Sequence, residues 1–445
     1  MDFNGFKQIV IEKCAQLGIE EYELYYQSAA STSVSAFQHE INQFTGATEG
    51  GVCLRCIVDG KMGYASTEAL TAQQAERIVE KAAENATVLE SEEQVFLCEG
   101  GQTYIPLEEK KGAMPTTEEM INKVLATQEK LYAADPAVID GCQTQGVAES
   151  CEIAIYNSKG LDLHSKTDLT GLVVVAVVTD GQEMANDYQI KLAQFDAIDA
   201  DKLAAEAVRS AIAKLGGEVA PTGQYPVVFS PEAMSDLLQT YASVFSSRAA
   251  QKGLSKLAGK EGEKIASDAV TLVDDPFHPD APMPRNFDAE GSPTYKKNLI
   301  ENGVFKTLLY NLKTAAVDGR KTTGNASKAG YAGAVGISPF TLYLAAGELT
   351  EEQLLQKAGN GVYINSLGGL HAGANAVSGD FSLQSAGFMI ENGRKTTAVK
   401  SFTVAGNFYE LLQNITAVAS NLELPGMAHF GSPSVLVEGL SIAGK

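Results

Sequence analysis

The sequence predicts an α+β protein in two parts: an α/β first half, and a mainly antiparallel β second half with a few helices. Three observations predict it. Within the first 215 residues, apolar residues recur at helical spacing in some stretches and alternate in others. The run Gly216 to Pro226, GGEVAPTGQYP, breaks that pattern with glycine and proline. Beyond it, short alternating stretches and Asn-Gly turns dominate. The boundary falls in this run, giving a first domain over 1–220 and a second over 221–445.

In chain order, residues 3 to 17 predict an amphipathic helix with Phe6, Ile9, Val10, Cys14 and Leu17 on one stripe. YELYYQ, STSVSAFQHE and GGVCLRCIVDGKMGYAS predict three or four strands, the last stretch turning at Asp59-Gly60. Thr71 with Gln74 opens a helix to about Asn85, and Thr116 with Glu119 opens another, each as a capping box. From about residue 138 the order recurs. CEIAIYNSKGLDLHS reads as a strand pair, TGLVVVAVVTDGQEMAN as a longer hairpin, and DADKLAAEAVRSAIAKLGG as a helix closed by glycines. The Asp-Gly turns at Asp59 and Asp180 occupy matching places, which points to a duplicated strand-strand-helix unit. Two unrelated Asp-Gly hairpins are the plainer alternative.

Past the break, Ser230 caps a helix with Pro231 at its first position, and Met234, Leu237, Leu238, Tyr241 and Phe245 line one face. Two hairpins turn on Asn302-Gly303 and Asn392-Gly393.

Charge and composition exclude several function classes. With 34 basic against 55 acidic residues the formal net charge is -21, which repels phosphate backbones and anionic lipid, so no nucleic-acid or membrane partner is expected. The opening MDFNGFKQIVIEKCAQLG lacks the unbroken apolar core of a signal peptide, and no stretch reaches membrane-spanning length; the expected compartment is the cytoplasm. Six cysteines are too few for a disulfide scaffold of this size. Cys53 and Cys56 spell C-x-x-C, but on a strand residues three apart point to opposite faces and cannot chelate one ion.

Catalysis of hydrolysis needs an activated nucleophile or a metal-bound water. Neither G-x-S-x-G nor H-E-x-x-H occurs, the five histidines are scattered, and no cysteine follows Cys151. No catalytic residue and no metal ligand is therefore assigned. The richest local sequence is 359–392, GNGVYINSLGGLHAGANAVSGDFSLQSAGFMIEN, in which His371, Asn375 and Asp380 are the candidate substrate-binding residues. Its small residues would let an extended peptide approach a sheet edge; the competing reading is a barrel-like sheet that needs glycine for curvature.

That stretch, followed by VKSFTVAGNFYELLQNITAV, closely resembles the PmbA/TldE side of the TldD/PmbA family, once called modulators of DNA gyrase. LIENGVFKTLLYNLKTAAVDGRKTTGNA, GEKIASDAVTLVDDP and GVCLRCIVDGKMGYAST extend the resemblance over nearly the whole chain. It implies an α/β first domain, a largely β second domain and membership of a metallopeptidase assembly. There a TldD-type subunit carries zinc on an H-E-x-x-x-H helix with a later cysteine as a further ligand, and the TldE-type subunit closes the chamber. In this chain the corresponding helix is SPEAMSDLLQTYASVFSSR, with Gln239 and Val244 at the histidine positions, Thr240 at the glutamate and Ala428 near the cysteine. Amide, hydroxyl and aliphatic groups cannot replace those ligands or the base. The resemblance therefore implies a zinc-free subunit, with zinc in a TldD-like heterodimer partner and an extended peptide as substrate. A homodimer is the expectation for the chain when alone, and the alternative function is a homo-oligomeric protein that binds a peptide or small molecule without a protease partner. A third reading keeps peptidase activity on unforeseen ligands, His371, His429 and Asp380.

Overall fold

The computed structural model describes residues 1–88, 94–107 and 113–445. The first half contains α1 (Phe3–Gln16), β1 (Glu21–Phe37), β2 (Glu40–Val58), β3 (Lys61–Thr67) and α2 (Ala72–Val88). These are followed by α3 (Thr117–Ala133), β4 (Gln143–Asn157), β5 (Asp162–Thr179), β6 (Met184–Leu192) and α4 (Ala200–Ile212). The strands form one antiparallel six-stranded sheet in the order β3-β2-β1-β4-β5-β6. This order is symmetrical about the β1–β4 pair. Apart from a short 3-10 turn at Phe195–Ala197, each half of the sheet repeats helix, three strands, helix, so the recurring unit is larger than strand-strand-helix.

The turns sit where their residues demand. Asp59 and Gly60 both have positive φ, 51° and 75°, in a two-residue loop between β2 and β3, the mirror-image turn that Asp-Gly favours. Thr116 and Glu119 exchange side-chain to backbone bonds in a complete capping box at α3. Two sequence expectations are corrected. YELYYQ and STSVSAF belong to a single strand, because the polar stretch Gln27–Thr32 is held on both sides by ladders to β2 and β4. Leu17 is 48% exposed, because α1 ends at Gln16 and Leu17 is its C-cap, off the buried stripe of Phe6, Val10 and Cys14.

Alternation sends the two sheet faces to different tasks. On one face, α1 and α2 pack on Leu24, Val52, Leu54 and Cys56, while α3 and α4 pack on Leu172, Val174 and Ala176. On the other, Tyr25, Cys151, Ile153 and Ile155 pack against Phe287 of the C-terminal half. Cys56 accordingly joins the α1–α2 core, whereas Cys53 faces Lys328 on the far side.

In the C-terminal half, strands Gly223–Phe229, Gly361–Gly368, Asp380–Glu391, Arg394–Asn407 and Val435–Ala443 close into a ring, because the last pairs with both the first and the fourth. A smaller sheet runs Val304–Phe305, Lys297–Glu301, Leu272–Asp274, Leu342–Leu344, Phe430–Gly431. Helix α5 (Pro231–Tyr241) packs against strands of both. Met234, Leu237, Leu238 and Tyr241 are at most 1% exposed, each contributing roughly 1.5–3 kcal/mol of gross apolar burial. The Asn-Gly turns at 302–303 and 392–393 adopt the same mirror-image geometry, with φ of 48° and 81° in the first and 51° and 74° in the second. Among the described residues, no helix is long and apolar enough to cross a membrane.

Candidate functional site

Helix α5 begins as its sequence dictates: Ser230 Oγ accepts from the Ala233 N–H at 3.1 Å and Pro231 fills the first position. It stops at Tyr241 and tightens into a 3-10 turn over Ala242–Phe245. Gln239 is exposed, whereas Val244, five residues on, is 1% exposed and packs in the main apolar core. Thr240 donates its hydroxyl to the Asp236 carbonyl at 2.7 Å, and Ala428 is buried with φ of 56°. An amide outside, a back-bonded hydroxyl and two buried aliphatic groups offer no convergent donor set, so these residues do not fit zinc. Among the described residues, no group of three or more His, Cys, Asp or Glu is placed to hold a metal ion. His371, His429 and Asp380 are not brought into one cluster.

The polar face of α5 carries Glu232, which feels the charge of Asp187 on β6. Burial, then the charges of Asp187 and Asp236, push the Glu232 carboxyl up to about 7, with Lys214 opposing and Glu423 adding. Burial alone pushes Asp236 up to about 6. A carboxyl raised in the folded state contributes stability that is present below its unfolded value of 4.5 and lost as pH rises through 7. Glu232→Gln is therefore expected to stabilise the protein by about 1–2 kcal/mol at pH 8, allowing for partial solvent screening, and to change little near pH 4.5. Thermal melts at both pH values check this; a lower melting temperature for the variant at pH 8 would contradict it.

The glycine-rich segment folds as a short helix, Leu370–Gly373, a tight loop, and the strand Asp380–Glu391. Asn375 and Asp380 are brought together. Asn375 Oδ1 accepts from the Val377 and Ser378 N–H groups at 2.9 and 3.2 Å, and the Asn375 N–H donates to the Asp380 carbonyl at 2.9 Å. Asn407 Nδ2 donates to Asp380 Oδ1 at 2.8 Å, which holds that carboxyl below its ordinary value. His371 stands exposed at the start of the segment, outside the open hollow of about 560 Å³ bordered by Ala372–Asn375 and Asp380–Ser382. Gln384–Ile390 has ladder neighbours on both sides, whereas Asp380–Leu383 pairs in register only with Arg394–Asn407 and meets the loop on its other side through one bridge between Ala374 and Phe381. The strand's glycine answers to close packing: a Cβ on Gly387 would lie 1.8 Å from the Tyr363 carbonyl oxygen of the neighbouring strand.

A buried charge cluster at the seam between the halves was not visible in the sequence. Arg55 Nε donates to Glu23 Oε1 at 2.7 Å, and Arg55 Nη1 lies 3.6 Å from Glu290 Oε1; the three residues are 6%, 2% and 4% exposed. Arg55 stands in the apolar run GVCLRCIV, and a lone arginine there is the one local signal that something charged must cover that face.

Three family models match this chain in succession: PmbA/TldA metallopeptidase domain 1 over residues 22–86, the central domain over 110–215 and the C-terminal domain over 222–444. The chain belongs to the PmbA/TldD family. Members share its whole architecture. A modulator-of-DNA-gyrase homologue of known structure from Thermotoga maritima superposes with a TM-score of 0.91 at 31% identity, covering 99% of this chain and 100% of its own. TldE from Thermococcus kodakarensis superposes with a TM-score of 0.87 at 25% identity, covering 98% and 100%. In sequence, an uncharacterized protein of Methanocaldococcus jannaschii is 27% identical over 96% of this chain and 99% of its own length. The PmbA metalloprotease homologue of Haemophilus influenzae is 24% identical over 95% and 92%. The PmbA/TldD fold therefore accounts for both halves.

Proposed function

We propose that this chain is the zinc-free, TldE-type subunit of a cytoplasmic metallopeptidase assembly that processes extended or unfolded peptides, with zinc and the general base supplied by a TldD-type partner. One observation carries the reading. Gln239, Thr240 and Val244 stand where the family resemblance places ligands and base, on a helix end where Gln239 is exposed and Val244 buried, and Ala428, near the cysteine position, is a buried aliphatic residue in a separate loop. Bound zinc would polarise a peptide carbonyl and activate water in the partner. This chain's contribution is to wall the chamber, with the hollow beside Asn375 and Asp380 as part of that wall; their side chains brace the loop that shapes it.

The test is purification alone and together with a TldD-type protein, followed by metal analysis and an unfolded-peptide cleavage assay. The expected result is zinc and cleavage only in the joint sample. Stoichiometric zinc with cleavage by the lone chain would overturn the proposal. Failure of the two proteins to associate, with a stable homodimer instead, would favour the binding-module alternative.

A further inference from the structure

The seam holds a cavity of about 210 Å³, walled on one side by Tyr25, Gln27 and Ile153 of the first sheet and on the other by Arg285, Lys328 and His429. Among the described residues two cations, Arg285 and Lys328, line it against one carboxylate, Asp288. The Lys328 ammonium lies 4.4 Å from the centroid of the Tyr25 ring, and among the described residues neither Lys328 nor Arg285 has a carboxylate within ion-pair distance. Asp288, the carboxylate that lines this cavity, is held by backbone donors rather than by either cation: its Oδ1 accepts from the Glu290 and Ser292 N–H groups and its Oδ2 from Ala326, all at 2.9 Å, and burial pushes the carboxyl up to about 7. His429 Nδ1 faces the Phe340 carbonyl at 3.3 Å, which leaves Nε2 as its other polar atom.

Two half-buried cations with no carboxylate at ion-pair distance among the described residues are costly inside a seam, and the cost falls when an anion enters. Burial holds the Lys328 amine below its ordinary pKa, which is the mark of that cost. In a chain with net charge -21, such a pocket runs against the general field and attracts anions locally. The remaining wall is mixed: Phe287, Pro339 and Phe340 give it an apolar side, Gln27, Ser327 and Thr341 add polar groups, and Ser338 stands at an exposed rim. The volume equals the liquid share of about seven waters. A small carboxylate carrying an apolar group matches this combination of size, charge and wall; a phosphate would leave the aromatic wall without a partner.

We infer that this cavity receives the terminal carboxylate of a peptide, with Lys328 and Arg285 providing the charge and the Tyr25, Phe287 and Phe340 wall accepting the last side chain. The peptide identity rests on the proposed function above, but the pocket lies in this chain and is tested without any partner or metal. N-acetyl-glycyl-leucine, its C-terminal amide, isovalerate and inorganic phosphate are titrated into the full chain by calorimetry. The expected result is binding of the acid at least about tenfold tighter than the amide, isovalerate or phosphate. Lys328→Met and, independently, Arg285→Gln are each expected to weaken the acid about tenfold, and Lys328→Arg to retain binding within about threefold. Melting temperatures establish that each variant is folded. Equal binding of acid and amide, no binding of the acid, phosphate or isovalerate binding as tightly as the dipeptide, or no loss in folded Lys328→Met and Arg285→Gln would each overturn the inference. None of those results bears on whether the chain partners a zinc peptidase.

Discussion

Arg55→Met is expected to destabilise the protein by about 3–5 kcal/mol at pH 7.5, because it leaves two buried carboxylates without their shared cation. Glu23 and Glu290 are 2% and 4% exposed. Asn157 donates to Glu23 at 3.3 Å and the Leu312 N–H to Glu290 at 2.8 Å, which satisfies lone pairs without cancelling charge. Burial already holds the Glu290 carboxyl above its ordinary value, with Arg55 as the chief opposing influence. Removing Arg55 raises it further. Carboxyls raised in the fold give stability that is present at low pH and lost as pH climbs through the folded value, so the deficit of the variant should shrink toward pH 4.5. Adding Glu23→Gln and Glu290→Gln to Arg55→Met should recover most of the loss at pH 7.5. Thermal melts of the single and triple variants at the two pH values are the measurement. Because Glu23 and Arg55 belong to the first sheet and Glu290 to the C-terminal half, the single variant should also be cut faster by a protease at the seam. A melt of Arg55→Met indistinguishable from the parent at pH 7.5 would show that water or a backbone shift solvates both carboxylates.

How much of this was legible beforehand follows the range of the interactions. Local chemistry was readable: the Asp-Gly and Asn-Gly turns, the caps at Ser230 and Thr116, and the buried face of α5 each depend on residues within one or two turns of each other. The C-x-x-C pair was readable for the same reason, since alternation along one strand separates Cys53 from Cys56. Strand continuity was not. Gln27 to Thr32 looks like a break because its side chains are small and polar, but what holds it straight is the pair of neighbours supplied by residues 46–51 and 148–153. The ring closure between Arg394–Asn407 and Val435–Ala443 is equally invisible locally, as is the pairing with Gly361–Gly368 that gives Gln384–Ile390 of the glycine-rich segment a second neighbour. The seam is the extreme case. Arg55 and Glu290 are 235 positions apart, and the cations at Arg285 and Lys328 gain meaning only when Tyr25 and Ile153 face them across the interface. As for the candidate residues, Asn375 and Asp380 do meet, through backbone and side-chain bonds that shape a loop, while His371 stands apart from them.

Introducing Gln239→His, Thr240→Glu, Val244→His and Ala428→Cys together is expected to yield a less stable protein that takes up no stoichiometric zinc. A helix that ran straight through these positions would make the restoration plausible, but α5 ends at Tyr241 and the 3-10 turn carries Val244 into the core. An imidazole there is buried without an assigned partner, which costs about 2–4 kcal/mol once desolvation and lost apolar packing are combined. The imidazole at 239 would instead project from an exposed position, so two ligands that must lie about 2.0–2.1 Å from one ion would start on different sides of the helix surface. Thr240→Glu removes a hydroxyl bonded to the Asp236 carbonyl and places a second carboxylate four residues from Asp236, a like-charge pair worth a few tenths of a kcal/mol against the helix. Ala428 already occupies a left-handed conformation at φ of 56°, so a cysteine there adds no new backbone demand. Most of the stability loss should therefore appear in Val244→His alone, read by thermal melting, with metal content read after dialysis against zinc. One tightly held equivalent of zinc in a quadruple variant that melts like the parent would mean that the helix end can unwind and bring both imidazoles together, and the divergence of these side chains would no longer support the zinc-free proposal.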